Sequence, residues 1–144
     1  MVHKNVARLL ACLGIIAAAS LIAFAQEESA SSNFPRIKAE ELKKLIENKA
    51  PDILVVSNDP QESFDEAHIP GAVSLPWVTQ LKMPVNIPRN KTLVLYCACA
   101  HEEDSSDMAA KLAQFGYRSI KVLEGGILKW NELKFPLEKS KGKP

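Results

Sequence analysis

The chain has 144 residues, 47% of them hydrophobic and 24% charged, with a formal net charge of +1. That length suits one domain, and the apolar fraction predicts a packed core and excludes a wholly disordered chain. The charge balance lacks the concentrated basic surface that phosphate neutralisation needs, so no nucleic-acid partner is expected.

The first 25 residues differ in kind from the rest. Lys4 and Arg8 precede an uncharged run of 17 residues, Leu9 to Ala25, which ends in the small-x-small triplet Ala23-Phe24-Ala25. A basic start, an apolar stretch and a small-residue exit predict a cleaved signal peptide at 1–25 and a periplasmic or secreted protein. A retained anchor is the alternative, because a run of 17 residues is at the short edge of a bilayer span. Leu9-Leu10-Ala11-Cys12 resembles a lipoprotein box only superficially, since its apolar run follows rather than precedes it. Cleavage removes Lys4 and Arg8, leaving 16 basic against 17 acidic residues and a charge of −1. It also removes Cys12, so that the mature chain keeps only Cys97 and Cys99 and has no expected membrane association.

Residues 26–34 are polar and Ser-rich and read as a flexible leader. A single domain is expected over 35–137. Leu42, Leu45 and Ile46 fall at helical spacing between Ala39 and Asn48, and Ile53-Leu54-Val55-Val56 is a short β-branched run typical of a buried strand. Val73-Ser74-Leu75 predicts a short strand, and Thr92 to Tyr96 a strong one that delivers the chain to Cys97, with a loop containing Pro84 and Pro88 between them. Asp104 or Ser105 is the expected cap of a helix with the buried stripe Met108, Leu112 and Phe115, stopped by Gly116. Ser119 to Leu123 makes the next strand, Gly125-Gly126 turns into a last short helix bearing Trp130, and 138–144 is a frayed basic tail. Strands alternating with helices imply a parallel sheet covered on both faces, whose ligands sit beyond the C-terminal strand ends.

Cys97 is at such an end. A cysteine leaving a buried strand for a loop that opens a helix faces backbone N–H groups and a positive dipole end, which favour thiolate over thiol and suggest a nucleophile. An inert buried cysteine is the competing reading. Cys99, one residue on, closes too small a loop to staple the fold and suits a resolving thiol for an adduct on Cys97, or disulfide exchange. Only His101 is near enough to join the pair as a metal ligand, so no metal is expected. From Cys97 to Asp107 the chain carries Glu102, Glu103, Asp104 and Asp107 with no Lys or Arg, a formal charge of −4. These carboxylates oppose thiolate formation and anion binding unless they point away or serve as caps, and the missing arginine excludes a cysteine phosphatase. His101 offsets some of that charge only if protonated and paired with Cys97.

Three segments together resemble the rhodanese-like (sulfurtransferase) family from about Ile37 to Trp130: Phe64-Asp65-Glu66-Ala67-His68-Ile69-Pro70-Gly71-Ala72-Val73-Ser74-Leu75-Pro76, Leu93-Val94-Leu95-Tyr96-Cys97, and Leu123-Glu124-Gly125-Gly126-Ile127-Leu128-Lys129-Trp130. The resemblance implies an α/β fold with a five-stranded parallel sheet flanked by helices on both faces. It also implies a persulfide carried on Cys97 in an active-site loop of Ala98, Cys99, Ala100, His101, Glu102, Glu103, Asp104 and Ser105, with no cofactor. His68 is expected to order the turn before Pro70, Gly125 and Gly126 to serve a turn, and Trp130 to be a core or lid residue. The family's "DVR" after the second strand reads Ser57-Asn58-Asp59 here, and the loop is longer and lacks its basic residue, which turns the expected donor from thiosulfate toward an uncharged sulfur compound or a persulfide-bearing protein. A thiol-disulfide redox protein using Cys97 and Cys99, and a noncatalytic rhodanese-fold binding module, are the alternatives.

Overall fold

The computed structural model describes residues 34–141, so the predicted signal peptide, nearly all of the leader and the last three residues lie outside the described residues. Five strands, β1 (Arg36–Ile37), β2 (Ile53–Ser57), β3 (Val73–Ser74), β4 (Thr92–Tyr96) and β5 (Ile120–Leu123), form one sheet in the order β1-β5-β4-β2-β3. Every pairing is parallel. Four helices accompany them: α1 (Ala39–Glu47), α2 (Gln61–Glu66), α3 (Glu103–Gln114) and α4 (Gly126–Glu132).

Alternation along the strands divides the core in two. Leu93 and Leu95 of β4 and Val122 of β5 pack with Met108, Ala109 and Leu112 of α3, while Val94, Tyr96 and Leu123 pack with Leu42 of α1 and Ile127 and Trp130 of α4. Both faces of the sheet are therefore covered, which is why its central strands read as continuous apolar runs. Trp130 is a core residue: it is buried, donates from Nε1 to the Pro136 carbonyl at 2.8 Å and meets the Phe135 ring edge-on.

Several boundaries depart from the sequence expectations. The short edge strand β1 and helix α2 have no counterpart among the elements read from the pattern, and β3 stops at Ser74, one residue early. Helix α3 is capped by neither Asp104 nor Ser105; it begins at Glu103 after Glu102, whose φ of 55° is left-handed. Phe115 leaves the buried stripe because the helix ends at Gln114, and its side chain stays 40% exposed. The first residues of the expected frayed tail are tied down, with Glu138 exchanging backbone hydrogen bonds with His68 and the Ser140 N–H donating to the Asp65 carbonyl.

Position decides what the sheet can do. The connection after β4 runs through α3 to β5 on one side, and that after β2 runs through α2 to β3 on the other. The crevice beyond the C-terminal ends of β2 and β4 is thus where such a sheet places a site. Ser57 pairs with Tyr96 at the last register position, so Asn58, Asp59 and Cys97 emerge together.

Candidate active site

Cys97 follows β4 directly and is fully buried, while Cys99 is partly exposed. Their sulfurs are joined as a disulfide, with Cα atoms 5.3 Å apart, so the loop brings the two thiols predicted to act together into bonding contact. Ser105, buried in the first turn of α3, puts its hydroxyl 3.6 Å from Cys97 Sγ and donates to the Glu102 carbonyl at 3.1 Å. Ala98, Ala100 and His101 are exposed on the loop between, and the described residues show no hydrogen bond from the His101 ring to either cysteine.

The double-glycine turn holds the Cys97 backbone. The Ile127 N–H donates to the Cys97 carbonyl at 3.2 Å, and a Cβ placed on Gly126 would lie 2.1 Å from that oxygen. Only a residue without a side chain permits this approach, and φ of +52° at the same position reinforces the requirement. The turn expected at Gly125-Gly126 is therefore also the floor under Cys97.

Glu102 holds the far end of the loop. Its Oε1 accepts from the Gly125 N–H at 2.5 Å and its Oε2 from Arg36 Nη1 at 2.6 Å. Asp107 similarly accepts from Trp77 Nε1 at 2.6 Å and pairs with Lys111. Two of the four carboxylates that gave the loop segment its −4 charge are thus matched by cations from outside it, which corrects the picture of an uncompensated acidic loop. Glu103 stays exposed; the N–H groups of its own residue and of His101 hold its carboxyl below the usual range. The Cys99, Ala100, Asp104 and Ser105 N–H groups have no protein acceptor among the described residues. Those of Asp104 and Ser105 lie in the first turn of α3, at the positive end of its dipole, which the nearby acids partly offset.

Sequence reasoning missed Asp59. The Ser57-Asn58-Asp59 segment reads as the loss of a family acid, yet Asp59 is buried at the site, where its Oδ1 accepts the Ala98 N–H at 2.6 Å. Burial pushes its carboxyl above the ordinary value, and the negative charge of Asp104 adds to the rise. The signal available was its position, an acid just past the end of a central parallel strand. Asn58 beside it is buried too and ties β2 to the Leu75 carbonyl through Nδ2 at 2.8 Å.

His68 fills a structural place. Its ring stacks on Phe64 at 4.0 Å, and Nδ1 is 2.7 Å from the Phe64 carbonyl, which fixes Nδ1 as the protonated nitrogen. A carboxylate that the sequence did not reveal, Glu138, has Oε2 3.9 Å from Nε2. Two open grooves of about 310 Å³ sit apart from the cysteines, one beside Lys38, Glu124 and Lys129 and the other beside Leu81, Lys111 and Phe115. No group of three or more metal-ligating side chains gathers among the described residues.

Known proteins bear out the reading of the fold. The family model described as "Rhodanese-like domain" matches residues 38–133, the greater part of the chain. The "Adenylyltransferase and sulfurtransferase UBA4" of Meyerozyma guilliermondii is 32% identical over 77 residues, 49% of this chain but only 18% of that protein, so the chain spans less than a quarter of that relative. Among solved structures, the BH2092 protein from Bacillus halodurans is 28% identical with a TM-score of 0.65, covering 74% of this chain and 77% of that one. A thiosulfate sulfurtransferase from Pseudomonas aeruginosa shares the fold, with a TM-score of 0.59 at 17% identity over 76% of this chain and 21% of that one. With the five-stranded parallel sheet, the cysteine at the end of its central strand and the double-glycine turn beneath it, the chain belongs to the rhodanese-like domain family.

Proposed function

We propose that the protein is a sulfurtransferase that carries sulfane sulfur as a persulfide on Cys97, acting in the periplasm or outside the cell after loss of residues 1–25. The observation that carries this reading is the position of Cys97, buried at the end of the central strand and followed by a loop that runs into the N-terminus of α3. In the reduced protein the Cys97 thiolate attacks the outer sulfur of a donor R–S–SH, and R–S⁻ leaves. The fixed amides stabilise the persulfide anion, so neither a metal nor an organic cofactor enters the step. A thiophilic acceptor then takes the outer sulfur and returns the thiolate. Ser105 is placed to give its hydroxyl proton to the sulfur anion once it turns from the Glu102 carbonyl.

The donor is a small uncharged sulfur compound or a persulfide-bearing protein. Exposed Glu103, together with Asp104 and buried Asp59, disfavours a small dianion such as thiosulfate. Thiocyanate formation from cyanide tests both points: turnover with an organic polysulfide, on the order of tenfold slower turnover with thiosulfate, and none in Cys97→Ser. Equal turnover in Cys97→Ser removes the proposal.

A thiol-disulfide exchange protein is the second reading, favoured by the bond between Cys97 and Cys99. It requires the pair to cycle with dithiols while no sulfur is added to either cysteine.

A further inference from the structure

We infer that Cys99 resolves the Cys97 persulfide by displacing its outer sulfur as sulfide, which makes the domain a persulfide reductase recharged by a dithiol protein. This rests on the persulfide reading above and goes beyond it in naming the fate of the sulfur and the class of partner. The geometry concerns which sulfur is attacked. In a persulfide on Cys97 the inner sulfur is Cys97 Sγ itself, and that is the atom the Cys99 sulfur reaches across one intervening residue, with Cα atoms 5.3 Å apart. An external acceptor meets the outer sulfur first, because Cys97 is fully buried. The tethered thiol instead approaches from within the loop.

The step balances without an added oxidant. Cys99 thiolate forms a bond to Cys97 Sγ, the bond from that sulfur to the outer sulfur breaks, and its electron pair leaves with the outer sulfur as HS⁻. The sulfane sulfur gains two electrons and the two thiols become the disulfide found in the structure. Exposed Glu103 and its neighbour Asp104 favour departure of the anion. A dithiol protein then attacks the sulfur of Cys99, the partly exposed residue of the pair. Cys97 leaves as a thiolate near the N-terminus of α3, and the partner's second thiol breaks the mixed disulfide.

The test uses the purified protein, reduced and freed of reductant, mixed with a small organic persulfide isotopically labelled in its outer sulfur. Wild type is expected to release labelled sulfide, one per chain, and to finish as the Cys97–Cys99 disulfide. Cys99→Ser is expected to hold the label on Cys97 and to release sulfide on the order of a hundredfold more slowly, because the attack is no longer intramolecular. If wild type keeps the labelled persulfide on Cys97 as long as Cys99→Ser does, or passes it to Cys99, the resolving role is overturned while the proposed function stands. If Cys97 takes up no label in either protein, the proposed function fails and the resolving step with it.

Discussion

Gly126→Ala tests whether the double-glycine turn supports Cys97 or merely reverses the chain. The added Cβ would sit 2.1 Å from the Cys97 carbonyl oxygen, nearly 1 Å inside the 3.0 Å that real contacts respect, and the three nearest atoms, O, C and N of Cys97, are all backbone. The left-handed conformation costs a non-glycine residue about 1–2 kcal/mol. Forcing the carbonyl aside adds about 1–3 kcal/mol of overpacking and weakens the 3.2 Å bond from the Ile127 N–H. Gly71→Ala is the control: φ is +74° there, but nothing lies within 4 Å of the new Cβ, so only the conformational cost applies. Urea unfolding is expected to show Gly126→Ala less stable than wild type by about 2–5 kcal/mol and Gly71→Ala by about 1–2 kcal/mol. With a urea slope of about 1–3 kcal/mol per molar, the two midpoints separate measurably. Persulfide loading of Cys97 should slow in Gly126→Ala alone, since a displacement near 1 Å at a reacting centre is worth on the order of a hundredfold. Equal destabilisation by the two variants, with equal loading rates, would refute the claim that close approach to Cys97 is what the second glycine provides.

Three other perturbations have expected outcomes. Asp59→Asn keeps an oxygen for the Ala98 N–H but removes a negative charge beside Cys97, so reduced Asp59→Asn is expected to react with iodoacetamide faster than wild type at neutral pH; an unchanged rate contradicts the placement. The same pair sets a sign for stability. Because the native Asp59 carboxyl is raised above its unfolded value, the folded state holds its proton longer, and wild type loses stability relative to Asp59→Asn as pH rises from the ordinary carboxylate range through the raised native value. Urea midpoints across that window check it, and a difference that stays flat or grows the other way overturns it. Glu102→Ala is expected to lower stability by about 1–3 kcal/mol by releasing Arg36 and the Gly125 N–H together, with Glu102→Gln losing less because it still accepts from Gly125. His68→Gln is expected to lower the melting temperature without slowing sulfur loading; a fall in loading at full stability would move His68 into the chemistry.

The parts of the fold legible in the sequence are those where one local pattern carries the signal. Ile53 to Val56 and Thr92 to Tyr96 are contiguous β-branched and aliphatic runs, and both are strands buried on two faces. Helix α2 has only Phe64 as a buried anchor in a polar hexapeptide, so no periodicity marks it. Strand β1 is two residues that exist as a strand only because Arg36 and Ile37 align with Val122 and Leu123. Phe115 continues the spacing of Met108 and Leu112 but falls after the helix has ended, where period no longer fixes direction.

At the site, Cys97, Cys99 and the glycine pair were legible because strand end, spacing and motif are local properties. The rest depended on distant partners. Glu102 reads as one acid among four, and only the folded chain brings it to Arg36 and Gly125, 66 and 23 residues away. Asp59 reads only as part of a departure from the family's "DVR" until folding buries it beyond the ends of β2 and β4 and gives it the Ala98 N–H, 39 residues on. Glu138, in the segment read as frayed, becomes the partner of His68 and Gly71.

The most direct test of the central claim is the mass of the Cys97–Cys99 peptide from reduced Cys99→Ser protein after exposure to an organic polysulfide, before and after cyanide. The account predicts one added sulfur on Cys97, removed by cyanide and absent when Cys97 is also replaced by Ser. A Cys97 that stays unmodified while Ser105 and the loop are intact and the domain is folded would contradict it.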